Sequence, residues 1–333
     1  MNKCVLILPY FGEFNNYFDM FLKTCGYNKN YNWIIITDNR NKYKYPNNVK
    51  IIYMTLNDLK ILIEKKVKFS ICLNTPYKLC DYKPAYGFIF EEYIENYEYW
   101  GHCDCDLLFG NLEKLLTPIL DKNFNKIFAA GHLTIYKNNF DNNRVFMSSY
   151  NGVQLYRDAF TTDKIYVLDE DWYENNVHSI FIRKDPNKVY CNDLSMNVAV
   201  NSAKFIRDAY NSELREFSKE AYIPSRYYWD LGNVISIHKN DFGKIKIIKK
   251  EYMYIHLQQR KMRIKKSINY EKIIEILPDR FVNRIKLPEN LKELKEFSIE
   301  FTYLSHWDTL TKKLKRRFFS ILAKILKRKR YEN

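Results

Sequence analysis

The sequence predicts an α/β fold built on a mostly parallel, three-layer sheet, and three features predict it. Short β-branched runs alternate with segments of helical period through the first half of the chain, the pattern of a sheet covered by helices on both faces. The first run stops at Pro9 and the second at the polar cluster Asp38 to Asn41, signals that punctuate strands. Carboxylates stand at the ends of two runs, and ligands of open α/β sheets bind beyond the carboxyl ends of strands.

The elements follow in order. Val5 to Leu8 is a short apolar strand ending at Pro9. Phe14 to Thr24 carries apolar residues at 14, 17, 18, 21 and 22, one face of a helix. Trp33 to Thr37 is a strand closed by Asp38-Asn39-Arg40-Asn41, and Val49 to Met54 is a third. Helices are expected over Leu56 to Val67 and Ala85 to Glu95, and the strand Tyr99 to Cys103 runs into Asp104. Asn111 to Leu120 reads as a helix capped by Asn111. Ile127 to Gly131 reads as a strand followed by Leu133 to Tyr136, and Asp193 to Ala203 as a short helix opened by Asp193. Tyr227 to Trp229, Val234 to Ile237 and Tyr252 to Leu257 are strand-like, and after about Lys265 the pattern turns helical and more polar. The expected division is an α/β domain over 1–258, a helical extension over 259–308 and a basic amphipathic tail over 309–333.

Composition sets the outer limits. A chain of 333 residues, 46% hydrophobic, holds a sizeable core in one large domain or a domain plus an appendage. The 28 tyrosines suit stacking on sugar rings, but abundant Asn, Lys, Ile and Phe make A+T-rich codon use the simpler account. Seven cysteines without zinc-finger spacing point to reduced, mostly buried thiols in a cytosolic protein. Only Cys4 to Leu8 separates Met1-Asn2-Lys3 from Pro9, too short for a signal peptide, and no run reaches the ~18 apolar residues of a membrane span. A cytoplasmic protein is expected.

The net charge of +15 is uneven: ten Lys and Arg lie between Thr309 and Tyr331 with no acid, leaving +5 elsewhere. In that stretch Leu310, Leu314, Phe318, Ile321 and Ile325 recur at helical spacing, with Phe319, Leu322 and Leu326 broadening the apolar face. A basic amphipathic helix of this kind suits an anionic bilayer, so residues 309–331 are expected to hold the protein on the inner face of the cell membrane. Packing on the domain is the other reading. The apolar face argues against a nucleic-acid-binding arm, and no nucleic-acid partner is expected.

Chemistry concentrates in Tyr99 to Gly110. In extended backbone residues i and i+2 face one side, so Asp104 and Asp106 converge. Paired carboxylates suit Mg²⁺ or Mn²⁺, which neutralises a diphosphate; alone, such a triplet is also what a polar turn looks like. His256 at a strand end, with Arg260 and Lys261 following, suits a metal ligand beside phosphate oxygens. By itself it reads more simply as a packed histidine beside a solvated basic turn, and together with the two aspartates the ligand reading prevails. His132, just past a strand, lines an acceptor or turns the chain. Asp169-Glu170-Asp171-Trp172 is either a solvated acidic loop or the source of a catalytic carboxylate.

Asp104 to Asp106 resembles the DxD motif of the GT-A glycosyltransferases. Leu8 to Gly12, Thr37-Asp38, Asp81 to Gly87, Trp100 to Gly110, Gly131 to Leu133 and His256 to Lys261 resemble, more narrowly, a bacterial family of polysaccharide glycosyltransferases, over roughly residues 1–265. The resemblance implies a GT-A-like α/β/α domain with a Rossmann-like mixed sheet. It implies that Pro9, Tyr10 and Phe11 hold the nucleoside, Asp38 the base or ribose, and Lys83 the ribose or phosphates. Asp104 would touch ribose or metal, Asp106 and His256 would ligate the metal, and Arg260 and Lys261 would steady the leaving diphosphate. It places an Asp-Glu pair in this region, which favours Asp169 or Glu170 as the base for the acceptor hydroxyl; the neighbouring Trp172 suits stacking on the sugar. The implied reaction moves a hexose from a nucleotide sugar, UDP-linked, to a glycan or lipid-linked glycan of a bacterial surface polysaccharide, lipopolysaccharide or capsule, with Mn²⁺ or Mg²⁺. Two other readings compete. A sugar nucleotidyltransferase needs a Gly-rich basic loop after the first strand, which Leu8 to Gly12 lacks. A non-enzymatic membrane- or nucleic-acid-binding protein acting through its tail leaves the acidic and histidine pattern accidental.

Overall fold

The computed structural model describes residues 2–171, 174–200, 204–239 and 246–296. Strands β1 (Asn2–Pro9), β2 (Tyr31–Thr37), β3 (Val49–Tyr53) and β4 (Tyr97–Cys103) precede β5 (Leu107–Phe109), β6 (Lys126–Ala130), β7 (Leu133–Lys137) and β8 (Val189–Tyr190). All but β5 form one seven-stranded sheet in the order β3-β2-β1-β4-β7-β6-β8. Pairing is parallel through β3-β2-β1-β4 and between β6 and β8, and antiparallel where β7 meets β4 and β6. The sheet is therefore mixed, with its parallel half where the sequence alternates strand and helix.

Strands β1 and β2 are buried on both faces. Val5, Ile7, Ile34 and Ile36 enter one core and Leu6, Leu8, Trp33 and Ile35 the other. Helix α1 (Phe18–Tyr27) covers the second face and α2 (Leu56–Val67) the first, giving the expected three layers. Helix α2 begins at a capping box between Thr55 and Asp58. Helix α1 starts later than its apolar period, because the Asn15 side chain accepts from Tyr17 N at 3.1 Å and holds a turn there. Gly101 lets β7 approach β4, since a Cβ would stand 2.6 Å from Thr134 O.

Other elements depart from expectation. The helix expected over 85–95 is split into two single turns, Tyr86–Ile89 and Glu91–Ile94, preceded by a 3-10 helix, Pro76–Ala85. The break falls at Phe90, which leaves helical geometry (φ −107, ψ 25) with its ring buried. The short helix expected over Asp193 to Ala203 is β9 (Ser195–Asn197), and Asp193 caps no helix: it accepts from Ser195 N and Tyr210 N and pairs with Arg207. Strands β10 (Asp208–Asn211) and β11 (Glu216–Lys219) form a hairpin.

Next come β12 (Ser225–Asp230), β13 (Asn233–Lys239), β14 (Ile247–Tyr252), β15 (Tyr254–His256), β16 (Ile273–Leu277) and β17 (Arg280–Arg284). The extension expected to be helical over 259–308 thus contains the β16–β17 hairpin. Ile274 and Ile276 face a core while Glu275, fully buried, pairs with Arg226 and Arg284; period two, not composition, decides. Strand β16 pairs with β12 in a five-stranded antiparallel sheet, β14-β13-β12-β16-β17, which takes strands from both sides of residue 258. The helical part among the described residues of that extension is Leu291–Glu296. The tail over 309–333 lies outside the described residues. No helix among the described residues is long and apolar enough to cross a membrane.

Candidate metal and donor site

Strand β4 ends at Cys103, and the turn Asp104-Cys105-Asp106 leads into β5. A three-stranded sheet, β5-β15-β9, sets His256 beside that turn: β15 pairs with β5 so that His256 stands opposite Leu107. Asp106 is clasped by this arrangement. Its carbonyl accepts from Leu257 N at 3.0 Å, and its Oδ2 accepts from Gln259 N at 2.6 Å. Gln258 and Gln259 both take positive φ, 54° and 52°, an unusual conformation that aims the Gln259 amide at the carboxylate.

The three side chains converge. Each of Asp104, Asp106 and His256 offers a ligand atom, and these atoms lie within 4.8 Å of one another. Asp106 and His256 are buried, with Oδ1 and Nε2 3.3 Å apart, and Asp104 is 35% exposed toward the cleft. Asn197 on β9 fixes the imidazole: its Oδ1 lies 2.9 Å from His256 Nδ1 and 2.9 Å from Gln258 Nε2. The Asn197 amide nitrogen donates to Asp208 O, so its oxygen is the acceptor and Nδ1 carries the proton. His256 Nε2 then faces Asp106 Oδ1, a buried oxygen with no hydrogen bond. Either a proton on Nε2 or a divalent cation satisfies this pair, and two carboxylates with an imidazole suit Mn²⁺ or Mg²⁺. Burial pushes the Asp106 carboxyl up, but His256 and the Gln259 amide outweigh it and hold it low; the same pairing raises His256 against its burial.

Asp104 and Asp106 of this triad open into a cavity of about 640 Å³. Pro9, Tyr10 and Phe11 line it from the end of β1, Lys83 from the 3-10 helix, and Arg260 and Lys261 from the loop after β15, together with Asp104 and Asp106. Asp38 does otherwise: its carboxylate accepts from Gly12 N at 2.8 Å and braces the loop after β1. Glu13, Asn15, Asn16, Tyr77 and Cys80 also line the cavity and carry no motif. Asn15 donates to Cys105 O at 2.9 Å, tying this wall to the acidic turn.

Lys83 links two parts of the site. Its ammonium stands 2.9 Å from Asp104 and 3.1 Å from Asp169, and donates to Gly131 O at 2.8 Å. Burial disfavours its charge, but the two carboxylates outweigh that and raise its pKa well above the ordinary value. Asp169 is raised by burial despite Lys83. Glu170, half-buried, is pushed up to about 7 by burial and then by Asp169. Gly131 makes this possible, since a Cβ would meet Asp169 Oδ2 at 2.6 Å. His132 is buried and packs on His256 with ring centroids 4.3 Å apart; burial holds it neutral. Asp171 belongs to another network, with Arg215, Tyr210 and Asn176. Trp172 lies outside the described residues.

A profile described as a family of unknown function (DUF6625) matches residues 6–285. The chain belongs to that family. The match ends just past the β16–β17 hairpin, so the family's common part includes the five-stranded sheet as well as the α/β half. No curated protein matches this DUF6625 member. Solved structures similar to it include mouse xyloside xylosyltransferase 1 in its apo form, at 9% identity and a TM-score of 0.37, over 60% of this chain and 87% of that one. Others are the galactosyltransferase LgtC with donor and acceptor sugar analogs, at 11% and 0.32 over 58% of this chain and 75% of that one, and an active-site mutant of LgtC, at 11% and 0.33 over 58% and 74%.

Proposed function

We propose that this protein is a metal-dependent glycosyltransferase of GT-A type. It transfers a hexose from a nucleotide sugar, UDP-linked, to a glycan or lipid-linked glycan of a bacterial surface polysaccharide, lipopolysaccharide or capsule. The observation that carries the reading is the convergence of Asp104, Asp106 and His256 at a cleft lined by the end of β1. A Mn²⁺ or Mg²⁺ held there supplies charge stabilisation for a departing diphosphate. Pro9, Tyr10 and Phe11, which line the cleft, hold the nucleoside, and Arg260 and Lys261 offer positive charge to its phosphates. Lys83 holds Asp104 and Asp169 in fixed relation, so donor and acceptor sides keep one geometry. Glu170, with a pKa of about 7, takes the acceptor hydroxyl proton as the new glycosidic bond forms and the bond to phosphate breaks. His132 stands on the acceptor side and packs on His256. The tail at 309–331 holds the enzyme on the anionic inner face of the membrane, near a lipid-borne acceptor.

The test is a panel of nucleotide sugars with Mn²⁺, followed by nucleoside diphosphate release. At least one donor is turned over by the wild type, and Asp106→Asn loses that turnover together with Mn²⁺ binding. No turnover with any donor, or Asp106→Asn activity equal to wild type, defeats the proposal.

A further inference from the structure

The 3-10 helix Pro76–Ala85 presents Tyr77, Cys80 and Lys83 to the cleft, yet its other side carries a buried ion pair that no chemistry above uses. Lys78 and Asp81 have side chains 2% and 0% exposed, 2.8 Å apart. An ion pair so deeply buried is weak evidence for stability, so its geometry is the informative feature. The Asp81 oxygens each lie 3.1 Å from Tyr166 N, and one lies 3.3 Å from Leu168 N. Lys78 donates to Lys164 O. Between the two bound amides, Val167 has φ 57, which a β-branched residue rarely adopts. The turn brings the N–H groups of Tyr166 and Leu168 onto one anion, a nest filled by Asp81. The next two residues are Asp169 and Glu170. Beyond them Asp171 N donates to Ala129 O at 2.9 Å, and its carboxylate is gripped by Arg215.

We infer that Asp81 is a positioning residue: through Tyr166 and Leu168 it holds the strained turn at Val167 and so sets where Asp169 stands against Lys83, and with it the neighbouring Glu170. Asp81 touches neither the cleft nor the three converging ligands, and it acts through the loop. The inference rests on the proposed function, in that Glu170 is taken as the base.

The experiment uses the full chain with Asp81→Asn, which keeps the side-chain shape and removes the charge from the nest. In the transfer assay kcat falls about ten- to hundredfold, the scale of a misplaced group near the chemistry. KM for the nucleotide sugar and the Kd for Mn²⁺ stay within about threefold, because Lys78, Tyr166 and Leu168, the partners of Asp81, do not line the cleft. Hydrogen exchange quickens at the amides of Tyr166 and Leu168 and is unchanged across β4. Val167→Pro, which cannot take positive φ but leaves the ion pair in place, gives the same split. An unchanged kcat in folded Asp81→Asn overturns the inference, as does a parallel collapse of kcat, KM and Mn²⁺ affinity. Should neither variant fold, the wild type decides: protected amides at Tyr166 and Leu168 support the clamp, and exchange within seconds overturns it. A wild type without turnover defeats the proposed function alone, since the exchange measurement still reads the clamp.

Discussion

Asn197→Ala removes the acceptor that fixes the His256 ring. Asn197 is 4% exposed, and its oxygen takes hydrogen bonds from both His256 Nδ1 and Gln258 Nε2 at 2.9 Å. Truncation frees the imidazole to rotate and leaves a buried N–H without a partner, which costs stability on the order of 1–3 kcal/mol. Groups that orient a metal-binding histidine contribute roughly ten- to hundredfold in affinity, or about 1.4–2.7 kcal/mol. Because Asn197 touches no phosphate- or sugar-facing group, the loss is expected in metal binding itself, without nucleotide. Calorimetric titration of Mn²⁺ into wild type and variant reads it, with a thermal melt to confirm that the variant is folded. A folded Asn197→Ala protein that binds Mn²⁺ within about twofold of wild type, well short of the tenfold expected, refutes the reasoning, and with it the assignment of Nε2 as a ligand.

The remaining predictions concern Glu170 and the tail. With its carboxyl at about 7, Glu170 is the competent base only above that pH, so transfer rises as pH passes through about 7. Glu170→Gln removes that limb and lowers kcat about 10²-fold or more; a variant with the wild-type pH profile and rate contradicts the assignment. The same shift has a stability consequence. The folded value lies above the ordinary 4.5, so stability from the protonated form is full below about 4.5 and lost as pH rises through about 7. Melts of Glu170→Gln against wild type therefore gain in relative Tm between about pH 5 and 8, and a constant difference speaks against the raised pKa. A chain ending at Trp307 is expected to lose sedimentation with anionic liposomes, and undiminished binding excludes the tail as the anchor.

Asp104, Asp106 and His256 were legible in the sequence because they break an apolar pattern at strand ends, where a core residue belongs and a charge needs a reason. The first three strands and α2 were legible for the same cause: their periods of two and 3.6 record burial along one element. Asn197 was hidden inside Ser195-Met196-Asn197-Val198-Ala199, which reads as a short helix after Asp193; a polar residue buried in such a run was the available signal. The β16–β17 hairpin was obscured by its charged residues, which pair with one another across the sheet instead of facing solvent. Asp81 gave no signal as a positioning residue, since its partners are backbone amides 85 and 87 positions away.

By itself, then, the sequence determined the layered α/β half and the residue types able to hold a hard cation. The tertiary structure alone decided that β5-β15-β9 delivers His256 to Asp106, that Lys83 bridges two carboxylates, and that a buried ion pair grips the loop bearing Glu170. The reason is physical. Periodicity reports which side of an element is dry, while the pairing of single polar atoms depends on distances between elements far apart in the chain.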